Sequence, residues 1–258
     1  MPRHFRLTAL CLVLLASCAH AVPPLEPPSR AVLAERAFVS DRKPTPAETF
    51  SYTPIEGSYF GVSGANGSAL AGLLLGPLGV AGNILYMDAA NRESGSQVTR
   101  LAAVNLADVL AGAVPELPRS APDGDERFEL APAASLNFSS GGSYRVVCIL
   151  NASLREQRWA ASYVKEIDAD FDPASASDTD KAIASLDSCL RDAHRLFREH
   201  VSGALAPFAA RDVSYYSWSG DHLDLPTQVS QSALPGRVIT SNTRVVQEIP
   251  PNRVLSIR

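Results

Sequence analysis

The sequence predicts an α+β fold: an antiparallel sheet of three to five strands covered by two amphipathic helices, with a C-terminal β-hairpin tail. Three strand-like runs follow one another between residues 128 and 166. Before and after them, at 98–111 and 183–204, apolar residues recur at steps of three and four, which is typical of helices that pack on a sheet. The order helix, three strands, helix is that of α+β modules with a helical layer on one sheet face.

The three strand-like runs predict an antiparallel meander. The first, RFELAPAASLNFS, has apolar residues at even positions from Phe128 to Phe138, which predicts one buried face. The second, YRVVCILNASL, is apolar on both faces, as expected of a central strand. The third, WAASYVKEI, is rich in aromatic and β-branched residues. Gly141 and Gly142 favour a hairpin turn between the first two.

The longer helix is predicted between residues 177 and 205, and a shorter one over 96–114. Ser177 and Asp180 have the spacing of a capping box, and Gly203 is suited to the end of the longer helix. Its solvated face carries two i,i+4 ion pairs, Asp187 with Arg191 and Arg195 with Glu199.

If the longer helix packs on the strand face that carries Cys148, the thiols of Cys148 and Cys189 could meet and form a disulfide. Cys148 shares a strand face with Val146 and Leu150, and Cys189 lies at the edge of the apolar helix stripe. In an oxidising compartment a bond closing a loop of about 40 residues would add about 4 kcal/mol of stability. The alternative is two buried free cysteines acting as small apolar side chains.

The first 17 residues have the pattern of a secretory signal peptide. Arg3 and Arg6 precede an apolar run from Leu7 to Ala16, which is too short to span a bilayer. Removing these residues takes away two arginines and no acid, which changes the net charge from −4 to −6. Such a charge argues against nucleic acid as a partner.

The end of the leader, Leu15-Ala16-Ser17-Cys18, resembles the lipobox of bacterial lipoproteins. The resemblance implies cleavage before Cys18, which would then carry a diacylglyceryl thioether and an acylated amine, palmitate among the acyl chains. It also implies a Gram-negative outer membrane as destination, with the protein facing the periplasm and the lipid bilayer as a partner, because Ala19 stands where an aspartate would mark inner-membrane retention. The alternative is cleavage after Ala21, which would release a soluble protein.

Composition divides the chain into five parts: a signal peptide at 1–17, a Pro-rich tether at 18–54, a Gly-rich apolar segment at 55–95, the α+β core at 96–207, and a strand-rich tail at 208–258. The tether could extend about 100 Å as polyproline. The stretch from Leu70 to Leu85 is almost wholly apolar, and three interpretations stay open: burial within the domain, contact with a partner, or contact with the membrane. Leu73, Leu74 and Leu75 are its candidate interaction residues.

The tail contains a second candidate interaction surface. Tyr215, Tyr216 and Trp218 fall in a strand-like run, and such rings are enriched at interfaces, although packing in the core or at a sheet edge also fits. Two runs flanking Ser241-Asn242 predict a hairpin, followed by a last short strand, RVLSI. The tail is expected to wrap the main domain.

Residues suited to catalysis or to binding metals and cofactors are few, and we predict none of these sites. Asp168, Asp170 and Asp172 alternate like the first ligands of a calcium loop, but Pro173 replaces its glycine, which favours a solvated loop. Asp221 and His222 could orient a catalytic imidazole, although no G-x-S-x-G motif supplies a nucleophile.

The layout of residues 96–206 behind a lipobox resembles periplasm-facing lipoproteins that serve as accessory components of envelope complexes. The resemblance implies a non-enzymatic lipoprotein that binds a protein partner in the cell envelope. The alternative is a periplasmic hydrolase or small-ligand-binding lipoprotein with a site near Asp221 and His222.

Overall fold

The computed structural model describes residues 23–28, 34–44, 53–64, 95–120, 126–138, 143–216, 222–232, 237–242 and 244–257. Within these ranges the chain forms one eleven-stranded sheet and three α-helices. The strands are β1 (Ala37–Val39), β2 (Thr53–Pro54), β3 (Phe60–Gly64), β4 (Phe128–Phe138), β5 (Tyr144–Leu154), β6 (Trp159–Glu166), β7 (Ala209–Tyr216), β8 (His222–Gln231), β9 (Val238–Ser241), β10 (Val245–Ile249) and β11 (Val254–Ile257). The helices are α1 (Gly95–Ala102), α2 (Leu106–Ala113) and α3 (Ala176–Val201).

The sheet is larger than the sequence predicts, and it is mixed. Ten strands follow the order β11-β7-β8-β9-β10-β6-β5-β4-β3-β2, and β1 lies beside β4. The pairs β1–β4, β3–β4 and β10–β6 are parallel, and the other pairs are antiparallel. The predicted antiparallel sheet of three to five strands is therefore wrong in size and in strand direction. Its centre is confirmed, because β4, β5 and β6 form the predicted antiparallel meander.

The additional strands lie at both edges of the meander, beside β4 and beside β6. On one side, β1 and β3 pair one after the other with β4: Ala37 opposite Phe128, and Phe60 opposite Ala134. On the other side, β10 pairs in parallel with β6, with Val246 opposite Tyr163. The tail therefore extends the sheet instead of wrapping the domain. The predicted hairpin is confirmed as β9–β10, and the predicted last strand is confirmed as β11.

Helices cover one face of the meander. Buried residues of α1, α2 and α3 join buried residues of β4, β5 and β6 in the main apolar core. Phe197 of α3 lies at its centre, with its ring 5.0 Å from that of Phe128 and 5.5 Å from that of Tyr163. On the other face a smaller buried cluster contains Ala133, Val147, Ile149 and Val164.

The predicted shorter helix is interrupted. α1 ends at Ala102, and α2 begins after Asn105, whose side chain accepts hydrogen bonds from the backbone N–H groups of Ala107 and Asp108. An asparagine in this N-cap role starts a new helix where the apolar periodicity predicts a continuous one. The single helix predicted over 96–114 is therefore two short helices separated by residues 103–105.

Candidate functional site

Helix α3 is fixed at both ends by local chemistry. The hydroxyl of Ser175 accepts the backbone N–H of Asp178 at 3.2 Å, so Ser175 is the N-cap, and the predicted capping box at Ser177 is wrong. The helix ends where Gly203 adopts a positive φ of 71°, as predicted for a C-terminal glycine. Between these ends the long helix packs on β5 and β6.

A disulfide joins α3 to the centre of the sheet. Cys148 of β5 and Cys189 of α3 are bonded, with their Cα atoms 6.1 Å apart, which confirms the predicted bridge. Both residues belong to the main apolar core. The bond holds the middle of α3 against the sheet and thereby fixes the position of the turns that follow Cys189.

Those turns line a cavity of about 420 Å³ between α3, the C-terminal end of α2 and the segment before β1. Its walls combine small apolar residues with charged ones. The lining residues are Ala34, Glu35, Ala113, Val114, Glu116, Arg191, His194, Arg195, Arg198, Glu199 and Ser202.

The three arginines of the cavity share one face of α3, since they are spaced by four and three residues. The Arg191 Nε donates to the backbone carbonyl of Ala113 at 3.2 Å, which links α3 to the end of α2. The Arg198 Nη2 lies 3.4 Å from the Glu35 carboxylate, and Arg191 also pairs with Asp187 at 2.5 Å. These contacts orient the guanidinium groups.

Arg195 connects the cavity to a buried ionic cluster beneath α3. It binds the Glu199 carboxylate at 2.9 Å, as the sequence predicts, and the Glu248 carboxylate at 3.4 Å. Glu248 also accepts hydrogen bonds from Lys165 and Ser232. Lys165 and Glu248 are both at least 95 % buried, and each is the nearest opposite charge of the other, with Asp192 at 3.7 Å from Lys165 and Arg195 at 3.4 Å from Glu248.

Burial alone would raise the pKa of the Glu248 carboxyl. The hydrogen bonds from Lys165 and Ser232, together with the charges of Lys165 and Arg195, outweigh burial and hold that pKa below its ordinary value of 4.5. Glu248 is therefore ionised at neutral pH. Glu248 thus holds Arg195 in place, whereas Arg191 and Arg198 line the cavity with side chains that are 55 % and 49 % exposed.

His194 forms a buried part of the cavity wall. Burial, together with the charge of Arg198, lowers the pKa of its imidazole to about 4, although the Glu116 carboxylate acts in the opposite direction. The ring is neutral at pH 7 and lies 5.9 Å from the ring of Phe197. Its Nε2 has no hydrogen-bond partner among the described residues.

The acidic loop before α3 is used in ion pairs. Asp170 bonds to Arg145, and Asp168 bonds to Arg237. Within the described ranges, no group of three or more His, Cys, Asp or Glu side chains has an arrangement suited to a metal ion. The alternating aspartates therefore act mainly as anchors for arginines of β5 and of the segment before β9.

The sequence-predicted interaction residues are mostly outside this site. Tyr215 lies in β7, opposite Leu223 of β8 and Val254 of β11, and is half-buried, which raises the pKa of its phenol. Tyr216 ends β7 and His222 begins β8. Cys18, Leu73, Leu74, Leu75, Trp218 and Asp221 lie outside the described residues. The site predicted near Asp221 and His222 stays a prediction.

Sequence reasoning missed the cavity. The sequence predicts Arg191 and Arg195 only as members of solvated ion pairs, and both pairs are confirmed. The pattern that could have indicated the cavity is the recurrence of arginine at 191, 195 and 198, on both sides of His194 and at the edge of the apolar stripe.

Comparison with protein-family models, curated proteins and solved structures finds no match for the chain. No helix in the described part of the chain is long and apolar enough to cross a membrane.

Proposed function

We propose that this chain is a lipid-anchored, periplasm-facing protein of the outer membrane, and that it acts as a non-enzymatic binding component of a cell-envelope complex. Acylated Cys18 is the anchor in this proposal, and the partner is another envelope protein. The proposal rests on the lipobox-like residues of the leader and on the way the segment after Cys18 meets the folded unit.

The segment 23–28 lies against the domain, and this observation carries the proposal. Leu25 is 7 % exposed. Its backbone N–H donates to the Ser241 hydroxyl at 2.9 Å, and its carbonyl accepts from the Nε2 of His200 at 3.0 Å. The indole N–H of Trp159 donates to the carbonyl of Glu26 at 3.0 Å.

This docking shortens the connection between an anchor and the domain. Cys18 precedes Pro23 by five residues, which can span about 17 Å when fully extended. A free Pro-rich tether would reach much farther. The docked segment thus supports a domain held close to the bilayer, with the end of the sheet that bears Trp159 and Ser241 directed toward it.

The edge of the sheet supports binding of a protein partner. β11 ends the strand order and, among the described residues, pairs only with β7. Leu255 and Ile257 are 53 % and 42 % exposed on it. Apolar side chains on an unpaired strand edge offer main-chain hydrogen bonds together with apolar contacts to an added strand.

Mass spectrometry of the mature N-terminus tests the anchor. We expect an N-terminal peptide that begins at acylated Cys18, and we expect the protein in the membrane fraction. The Cys18→Ser protein should be unacylated, and it should be either soluble or still joined to its leader. The matched change Cys11→Ser within the leader should leave acylation and membrane association unchanged. A mature protein that begins unacylated at Val22 would contradict the proposal.

Site-specific photo-crosslinking in intact cells tests the partner. A photoreactive residue at Ile257 should give one discrete cross-linked envelope protein. The same residue at Glu156, an exposed position in the β5–β6 turn, should not. Equal patterns at both positions would show that β11 is not a docking edge.

A further inference from the structure

The cavity beside α3 has walls of both charges in equal number. Three arginines and three glutamates line it, and His194 is neutral at pH 7 because its pKa is about 4. A simple anion would meet the carboxylates of the lining, and a simple cation would meet its guanidinium groups. A ligand with one charge of each sign and no net charge matches such a lining.

The arginines can bind a carboxylate without losing their present partners. A guanidinium has five N–H donors. Arg191 uses its Nε for Ala113 and its Nη2 for Asp187, and Arg198 uses its Nη2 for Glu35. The remaining N–H groups are donors held in position by these contacts, and a planar fork of this kind recognises a carboxylate by paired hydrogen bonds.

Glu116 supplies the complementary charge. Its carboxylate is exposed and has no ion pair among the described residues, unlike Glu35 and Glu199, which are paired with arginines. It lies near enough to His194 to act on the charge of the imidazole. An ammonium group at this position would gain a partner without displacing an existing pair.

The volume of the cavity, which is open to solvent on one side, is that of a site for a small molecule. About 420 Å³ lies near the lower end of the range for small-molecule sites, which is roughly 300 to 1,000 Å³. Ala34, Ala113 and Val114 add small apolar surface to the wall, which suits a short aliphatic side chain. A free amino acid or a peptide of two or three residues has this size and both charges.

We propose that this cavity binds a small zwitterion of the amino-acid or short-peptide class, with its carboxylate on Arg191 and Arg198 and its ammonium on Glu116. Arg195, held by Glu248 and Glu199, is a positioning residue that keeps this face of α3 in place. The site is separate from the anchor and from the β11 edge, so this inference does not depend on the proposed function.

Isothermal titration calorimetry with the full-length Cys18→Ser protein tests the inference. The probes are alanine, the dipeptide alanyl-alanine, N-acetylalanine as the anion alone, and alaninamide as the cation alone. One of the two zwitterions should bind, and each single-charge probe should bind at least about tenfold more weakly. The ratio between alanine and alanyl-alanine decides between free amino acid and peptide.

Variants link any binding to the cavity. Arg198→Gln and Glu116→Gln should each weaken binding of the better zwitterion by about tenfold or more. Glu156→Gln and Arg158→Gln, both in the exposed β5–β6 turn, are the matched controls and should leave it unchanged. Thermal melting confirms that each variant is folded.

Three outcomes would overturn the inference. The first is the absence of heat with both zwitterions up to about 10 mM. The second is N-acetylalanine binding as tightly as alanine, which would define a simple anion site. The third is affinity that is the same in Glu116→Gln, Arg198→Gln and the controls, which would place the ligand elsewhere.

Discussion

The carboxylate of Glu248 lies between α3 and the sheet, 99 % buried, within reach of Lys165, Arg195 and Ser232. Glu248→Gln keeps the shape of the side chain and removes its charge. Among the described residues, Lys165 then retains Asp192, at 3.7 Å, as its one ion-pair partner. Because a buried charge that loses its partner is strongly unfavourable, we expect the free energy of unfolding to fall by about 3 kcal/mol in urea denaturation.

Glu156→Gln on the exposed turn is the control for this variant and should change stability by less than about 0.5 kcal/mol.

The contribution of Glu248 to stability depends on pH with a defined sign. The pKa of Glu248 is lowered below 4.5 in the folded protein, so its stabilising contribution is present above pH 4.5 and is lost as the pH falls through the folded pKa. The loss of stability below pH 4.5 should therefore be smaller in Glu248→Gln than in the wild type. The same loss in both proteins would contradict a lowered pKa for Glu248.

His194 should make stability depend on pH in a higher range. Its pKa is about 4 in the folded protein and about 6.5 when exposed, so the unfolded chain binds a proton that the folded chain does not. The free energy of unfolding should therefore fall as the pH is lowered from 6.5 to 4, by about 3 kcal/mol in total from this residue. Urea denaturation at a series of pH values measures this dependence.

His194→Leu isolates that contribution. His200 is also buried, and its pKa is lowered as well, so the variant keeps some dependence of the same sign. The difference between the wild-type and variant curves between pH 4 and 6.5 belongs to His194. Parallel curves would show that the His194 imidazole titrates normally in the folded state.

The disulfide links helix α3 covalently to the sheet. The bond between Cys148 and Cys189 spans a separation of 41 residues in the chain. In the chain-entropy model, the double variant Cys148→Ala/Cys189→Ala should lose about 4 kcal/mol of unfolding free energy. Reduced wild-type protein is the matched control and should unfold near the same urea concentration as the double variant. A loss below about 1 kcal/mol would mean that packing alone holds the helix.

The elements that sequence reasoning found are those whose evidence is local. The meander β4–β6 follows from side-chain alternation, α3 from its 3.6-residue periodicity, and β9–β10 from turn residues between two apolar runs. The bridge could be predicted because Cys148 lies on an apolar strand face and Cys189 at the edge of the apolar helix stripe, so packing of the helix on that face brings the thiols together. The α1–α2 break was missed because Asn105 falls where an amphipathic pattern continues through an N-cap.

The elements that the sequence does not predict depend on partners that are distant in the chain. β1 and β3 are three and five residues long, and they lie in segments whose proline and glycine content predicts a tether and an apolar segment. Their pairing with β4 spans about 70 to 90 residues of chain, and nothing local encodes it. The cavity was missed for the same reason, because Glu35 and Glu116 reach α3 only through the tertiary fold.

At the scale of the whole molecule, the parallel pairing of β10 with β6 joins the C-terminal strands to the meander. Val245 to Glu248 lie opposite Ser162 to Lys165, and the N–H of Ser162 donates to the carbonyl of Arg244 at 2.8 Å. The Lys165–Glu248 ion pair crosses the same junction. The meander and the tail therefore share one sheet and one buried ionic cluster, and they should unfold together.

Hydrogen exchange at neutral pH tests this cooperativity. The backbone amides of Tyr163 in β6, Ile239 in β9 and Val246 in β10 are all in fully buried residues, so each should exchange only through opening of the sheet. We expect their protection to correspond to similar opening free energies and to fall in parallel as urea is added. The matched perturbation is Glu248→Gln, which should lower protection at Tyr163 as much as at Val246, although Tyr163 belongs to the meander. Loss of protection confined to β9 and β10 would mean that the tail opens as an independent unit and that the β10–β6 junction does not couple the two parts of the sheet.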